Sequence, residues 1–205
     1  MKKIRIYLAG PEVFLKNAKE IGQAKKELCR KYGFEGIYPL DKEIEGTDKN
    51  PREIGFCINT ANEELIKTCE ILVANITPFR GPSADEGTAY EMGYAHGLGK
   101  KVFAYTNTTE PFTERTIRAL NCKIVRDMDG KLRDPYGMLI EEMDLTDNLM
   151  LDGCVHSSSD CLVVEKPPAN QSFTFLGGFE KCLKNAQKLC KSKDKQKDNF
   201  DYFIS

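Results

Sequence analysis

Residues 71–74 read Ile-Leu-Val-Ala, an apolar run with no polar position in it. A strand with one face in water alternates apolar and polar side chains, so an unbroken run fits a parallel strand covered on both faces. Parallel neighbours cannot be joined by a tight turn, and such a strand demands crossover segments before and after it. The flanking sequence supplies them. Residues 4–9 form a short β-type run that stops at Gly10-Pro11. Ala18, Ile21, Leu28, Cys29 and Tyr32 then recur at helical spacing, opposite Lys19, Lys25, Lys26 and Arg30, and Gly33 closes that helix. Residues 37–41 read as a second short strand running into a loop, and Asn50-Pro51 opens a second helix through Ile54, Ile58, Ala61, Leu65 and Ile66.

Beyond the apolar run, the spacing predicts a third helix at about 84–98 and a fourth strand over 101–105. Residues 106–135 read as an extended loop or insertion. A helix is predicted over 136–151, a fifth strand over 162–164 and a last helix over 177–192. Alternation of this kind implies an α/β fold with a doubly wound, mainly parallel sheet, flavodoxin- or Rossmann-like, of about five strands with helices on both faces. A single domain over 1–205 accommodates it. In such sheets ligands bind beyond the carboxyl ends of the strands, where strand order reverses. The segments that matter most are therefore 10–14, Asp41 and its neighbours, 75–85, and Tyr105 onward.

Composition excludes several function classes. Thirty basic residues oppose 31 acidic ones for a net charge of −1, which is not the basic surface of a general nucleic-acid binder. The eight cysteines form no C-x-x-C pair, and only His96 and His156 could complete a mixed metal site. Free buried thiols, no metal and no cofactor are expected. The N-terminus lacks the pattern of a signal peptide, and no apolar stretch approaches the roughly 20 residues that span a bilayer. A cytosolic protein without membrane partners follows. Lys181, Lys184, Lys188, Lys191, Lys193, Lys195 and Lys197 form a basic C-terminal stretch, a solvated helix face and tail (191–205) or a surface for an anionic partner.

The third helix carries the candidate chemistry. Ser83-Ala84-Asp85-Glu86 fits a capping box, with Ser83 bonding forward and Glu86 reaching back. Glu91 would then lie two turns in, too far along to complement the helix dipole. Its neighbours at three and four positions are Gly87, Thr88, Tyr94 and Ala95, none of them a cation. Glu91 is either a solvated surface carboxylate or one that faces a ligand. Gly87 and Gly93 each weaken the helix by roughly 1 kcal/mol relative to Ala, and close approach of a ligand is one reason for such glycines.

Three blocks share a resemblance: Tyr7-Leu8-Ala9-Gly10-Pro11, Ala74-Asn75-Ile76-Thr77-Pro78-Phe79-Arg80-Gly81, and Asp85-Glu86-Gly87-Thr88-Ala89-Tyr90-Glu91-Met92-Gly93-Tyr94-Ala95. Together they resemble the nucleoside 2-deoxyribosyltransferase family over about residues 3–105, and Asn148-Leu149-Met150 resembles its downstream signature. The resemblance implies a retaining transferase that exchanges the base of a 2-deoxynucleoside. Glu91 would attack C1′ to form a covalent deoxyribosyl ester, and Tyr7 would orient it. Its reference pKa of about 4.3 would keep Glu91 ionised at neutral pH. By the same resemblance, Asp85 binds sugar hydroxyls and Asn148 reaches the sugar across a subunit interface of a homo-oligomer. Phe14 stacks on the base or else packs at the start of the first helix. Gly10 borders the substrate, and Asp41 could meet the base edge. Family members commonly carry Asp where this chain has Asn75, and an amide cannot protonate a departing base. The implied partners are nucleosides and free nucleobases.

The sequence is also compatible with two alternatives. A hydrolase of 2-deoxynucleoside 5′-monophosphates would use Arg80, Gly81 and Ser83 at a helix N-terminus to hold phosphate. A nucleotide-binding module without turnover would explain Asn75. No G-x-G-x-x-G follows the first strand and no G-x-x-x-x-G-K-[ST] is present, which disfavours a dinucleotide oxidoreductase and a P-loop NTPase.

Overall fold

The computed structural model describes residues 3–41 and 50–201, with the side chains of 193–201 left out. Five parallel strands form one sheet: β1 (Arg5–Ala9), β2 (Glu35–Ile37), β3 (Ile71–Asn75), β4 (Lys101–Thr106) and β7 (Leu162–Val164), in the order β2-β1-β3-β4-β7. The two-residue strands β5 (Val125–Arg126) and β6 (Leu132–Arg133) pair as a separate antiparallel hairpin. Successive side chains of a strand point to opposite faces, and the cores divide accordingly. Ile6, Leu8, Val73 and Phe103 meet α1 (Ala18–Lys31) and α6 (Gly177–Asp201) on one face. Tyr7, Ala9, Leu72, Ala74, Val102 and Ala104 meet α3 (Glu86–Gly97) and α5 (Leu149–Ser158) on the other. The doubly wound α/β architecture is therefore present. Strand order reverses between β1 and β3, which places a crevice at their carboxyl ends.

Several local expectations are corrected. The second strand spans Glu35–Ile37, so it lies earlier than the start expected at Ile37, and the loop expected after it contains the 3-10 turn Pro39–Asp41. Pro39 has no N–H for a ladder, and the Asp41 carboxylate accepts the Tyr38 N–H at 3.0 Å instead. Residues 136–148 are not helical, and of the helix expected over 136–151 only 149–151 are in one. Asp134-Pro135-Tyr136-Gly137 is a turn in which Asp134 Oδ1 accepts the N–H groups of Tyr136 and Met138, each at 2.9 Å, with Gly137 at φ 78°. The helix there, α5, begins only after Asn148, whose side chain caps it by accepting the Met150 N–H. The loop expected over 106–135 contains α4 (Phe112–Leu120) and the hairpin.

The third helix begins at Glu86, not Ser83. Asp85 is its N-cap, and Ser83 donates instead to Asp147. The C-terminal helix runs on to Asp201, and the lysine side chains expected to be solvated beyond Lys191 lie outside the described residues. No disulfide joins the eight cysteines. Among the described residues no helix is long and apolar enough to cross a membrane, and no group of three or more His, Cys, Asp or Glu is placed to hold a metal.

Candidate active site

A cavity of about 520 Å³ opens at the carboxyl ends of β1 and β3. Its apolar wall is Val13, Phe14, Pro39 and Leu40 with Ile54 and Ile58 of α2 (Pro51–Lys67), and its polar end is Asn62, Asp85, Thr88 and Glu91. Gly10 and Gly87 also line it, whereas Gly93 is exposed and does not. Of the two helix glycines, Gly87 is the one beside the cavity.

Tyr7 and Glu91 come together from β1 and α3. The wholly buried Tyr7 hydroxyl donates to Glu91 Oε1 at 2.6 Å, and Asn62 Nδ2 lies 3.5 Å from the same oxygen. Burial pushes the Glu91 carboxyl up to about 7. The Tyr7 hydrogen bond opposes that shift, and the neighbouring Asp85 charge adds to it. The free site therefore holds Glu91 near half-protonation at neutral pH, against the expectation of full ionisation from its reference value. Burial and the Glu91 charge push the Tyr7 phenol far above its usual range, which keeps it a donor.

Asp85 Oδ2 accepts both the Thr88 N–H at 2.8 Å and the Thr88 hydroxyl at 3.0 Å, an N-cap that also aims the carboxyl group at the cavity. The loop before it is pinned from the segment that sequence left unassigned. Arg115 of α4, 3% exposed, donates from Nε to the Pro82 carbonyl, from Nη1 to that of Glu110 and from Nη2 to that of Thr146. Arg115 Nη2 also lies 3.4 Å from the buried Asp147 carboxylate, which accepts the Ala84 N–H at 3.0 Å.

Phe14 is 57% exposed, so it is not a core residue. Its ring stacks on Phe79 at 5.2 Å, and the Arg80 guanidinium lies over both rings at 5.2 and 4.6 Å. Three expected site residues lie elsewhere. Asn75 is wholly buried; it donates to Glu12 and accepts from Thr77. Asp41 is held by Lys26 at 2.6 Å and by the Tyr38 N–H. Asn148 caps α5 and donates to Glu141 at 3.0 Å. None of the three lines the cavity. The residue that sequence reasoning missed is Asn62, the amide that does face Glu91. Its signal was available: Ile54, Ile58 and Asn62 form one i, i+4 stripe, with a polar member where an apolar one is expected.

Comparison with known proteins bears on the family and the fold. A curated relative, the uncharacterized protein C191.05c of Schizosaccharomyces pombe, is 29% identical over 170 residues, covering 78% of this chain and 81% of the relative. A 2-deoxyribosyltransferase from Leishmania mexicana has a structure with a TM-score of 0.57 and 26% identity, covering 84% of this chain and 96% of that one. A conserved protein from Enterococcus faecalis V583, with a TM-score of 0.52 and 19% identity over 90% of this chain and 99% of its own, shares the fold. The family model described as nucleoside 2-deoxyribosyltransferase matches residues 6–150, a span that runs from the second residue of β1 past β6 and contains the residues that line the cavity and both members of the Tyr7–Glu91 pair. The chain belongs to the nucleoside 2-deoxyribosyltransferase family.

Proposed function

We propose that this protein exchanges the nucleobase of 2-deoxyribonucleosides through a deoxyribosyl ester on Glu91. The observation that carries the reading is the Tyr7–Glu91 hydrogen bond at 2.6 Å, set at the polar end of a cavity whose other wall is apolar. A planar base suits the Phe14, Leu40, Ile54 and Ile58 wall, and a sugar suits Asp85, Thr88 and Glu91. The ionised Glu91 carboxylate attacks C1′, the C1′–N bond breaks, and the base leaves with the bonding electrons. A second base then attacks C1′ and releases Glu91, so two inversions give net retention. A carboxylate suits both steps, being nucleophile enough for an oxocarbenium-like centre and a good leaving group afterwards. Tyr7 holds one Glu91 oxygen, leaving the other for C1′. Thr88 occupies Asp85 Oδ2, which leaves Oδ1 for a sugar hydroxyl. Asn62 can donate an N–H to the departing base but has no proton to give up.

Charge favours a nucleoside over a 5′-monophosphate. Two carboxylates and no Lys or Arg line the cavity among the described residues. Ser83, a candidate for phosphate, is engaged by Asp147 three residues before α3 begins. Incubation with deoxyinosine and adenine is expected to yield deoxyadenosine, while a deoxynucleoside 5′-monophosphate alone is expected to persist. Free base plus sugar phosphate from the second reaction would favour the hydrolase reading.

The reaction has a pH signature. Only the ionised Glu91 attacks, and its free-enzyme pKa is about 7. The exchange kcat/KM should rise about tenfold per pH unit below that value and level off above it. A flat profile between pH 5 and 8 would remove Glu91 as the titrating nucleophile. Asn148 lies outside the cavity of its own chain, so its proposed contact with the sugar requires a second copy. Sedimentation velocity should find a homo-oligomer, and a fully active monomer would release Asn148 from the site.

A further inference from the structure

The proposed reaction makes no use of Glu12, yet few groups in the chain are as heavily engaged. Its side chain is 0% exposed, and its Oε1 is approached from three separate elements. Lys25 Nζ of α1 pairs with it at 2.6 Å, Asn75 Nδ2 at the end of β3 donates at 2.8 Å, and the Tyr105 hydroxyl of β4 donates at 3.0 Å. Lys25, read from sequence as lying on the solvent side of its helix, is also 0% exposed and lies over the rings of Tyr105 and Phe179 at 5.6 and 5.4 Å. Glu12 Oε2 fills the place where residue 10 would carry a side chain, since a Cβ on Gly10 would fall 2.0 Å from it.

Stability alone does not account for this arrangement. Dehydrating two ions costs several kcal/mol each, and apolar side chains of similar volume often serve as well or better. Directed bonds do what apolar packing cannot, which is to set the position and rotation of a backbone segment. The segment is the 3-10 turn Pro11–Phe14, which with Gly10 presents Val13 and Phe14 to the cavity.

We propose that Glu12 is a positioning residue for the base-binding wall: its buried carboxylate, shared by Lys25, Asn75 and Tyr105, holds the turn that aims Phe14 into the cavity. The inference rests on the base-exchange reading above. It is tested by a double-mutant cycle of Glu12→Gln with Phe14→Ala. Each single variant should raise KM for the deoxynucleoside about tenfold, Glu12→Gln leaving kcat within about threefold, and the double variant should match Phe14→Ala alone within about twofold. Multiplicative losses, or an unchanged KM in Glu12→Gln, would overturn the inference. Should Glu12→Gln fold poorly with Lys25 unpaired, the double variant Glu12→Gln/Lys25→Met takes its place in the cycle. If the wild-type protein turns over no deoxynucleoside, the functional reading fails instead, and the positioning claim is read from ligand-free crystal structures. There, Glu12→Gln should separate Phe14 from Phe79, and an undisturbed stack at 5.2 Å would refute it.

Discussion

Glu91→Gln is expected to abolish base exchange and, above pH 7, to make the protein more heat-stable. The activity loss should be about 10³-fold or more in kcat/KM, because an amide of the same shape can still accept the Tyr7 hydroxyl but is no nucleophile and cannot form the ester. The stability gain follows from the same burial that raises the Glu91 carboxyl from 4.5 to about 7. Between those values the folded protein holds a proton that the unfolded chain has released, so stability falls as pH rises through this window. Above it the ionised Glu91 costs the fold up to about 3 kcal/mol, reduced by whatever solvent reaches the carboxylate through the cavity mouth. Gln carries no such cost. At roughly 2–4 °C per kcal/mol for a chain of this size, its melting temperature should exceed wild type by several degrees at pH 8 and match it near pH 4. Calorimetry at the two pH values tests the linkage, and mass spectrometry of the trapped adduct tests the chemistry. A deoxyribosyl group found on another residue would end the proposal. The expected pattern is that of an active site whose function is held at the expense of stability.

Arg115→Ala should produce the largest loss of stability. Truncation leaves the carbonyls of Pro82, Glu110 and Thr146 without this donor and strips the buried Asp147 carboxylate of its cation. Removing one partner of a buried ion pair costs about 3–5 kcal/mol, a fall in melting temperature of roughly 10 °C or more. The damage should reach the site, since Asp147 accepts the Ala84 N–H immediately before the Asp85 cap. KM for the nucleoside is expected to rise even at temperatures where the variant remains folded. A fall of less than about 2 °C would mean that the cluster does not hold the loop.

Much of the site was legible in the chain itself, and the exceptions share a cause. The apolar run at 71–74, the Gly10-Pro11 stop and the Glu91 block are patterns of neighbouring residues, and they led to β3, to the end of β1 and to the helix that carries Glu91, whereas the Tyr7–Glu91 pair was implied by the family resemblance. The α4 helix was read as loop because the residue it buries is Arg115, a charge where periodicity looks for an apolar side chain. Lys25 was assigned to water for the same reason, although Glu12 waits for it in the interior. Asn75, at the end of β3, drew attention by its place in a motif, while Asn62, on α2, is the amide that reaches Glu91.

The sequence by itself determined the alternation of strands and helices and the crevice at the strand ends, and left Glu91 either in that crevice or in water. These follow from side-chain periodicity and from backbone chemistry that acts over a few residues. Only the tertiary structure decided which polar groups meet, where Glu91 titrates, and that Glu12, Arg115 and Asp147 hold the walls in place. Those outcomes depend on dehydration and on partners far apart in the chain, 84 residues between Tyr7 and Glu91 and 93 between Glu12 and Tyr105, and a charge shows no sign along the chain of whether folding will surround it with water or with its counterpart.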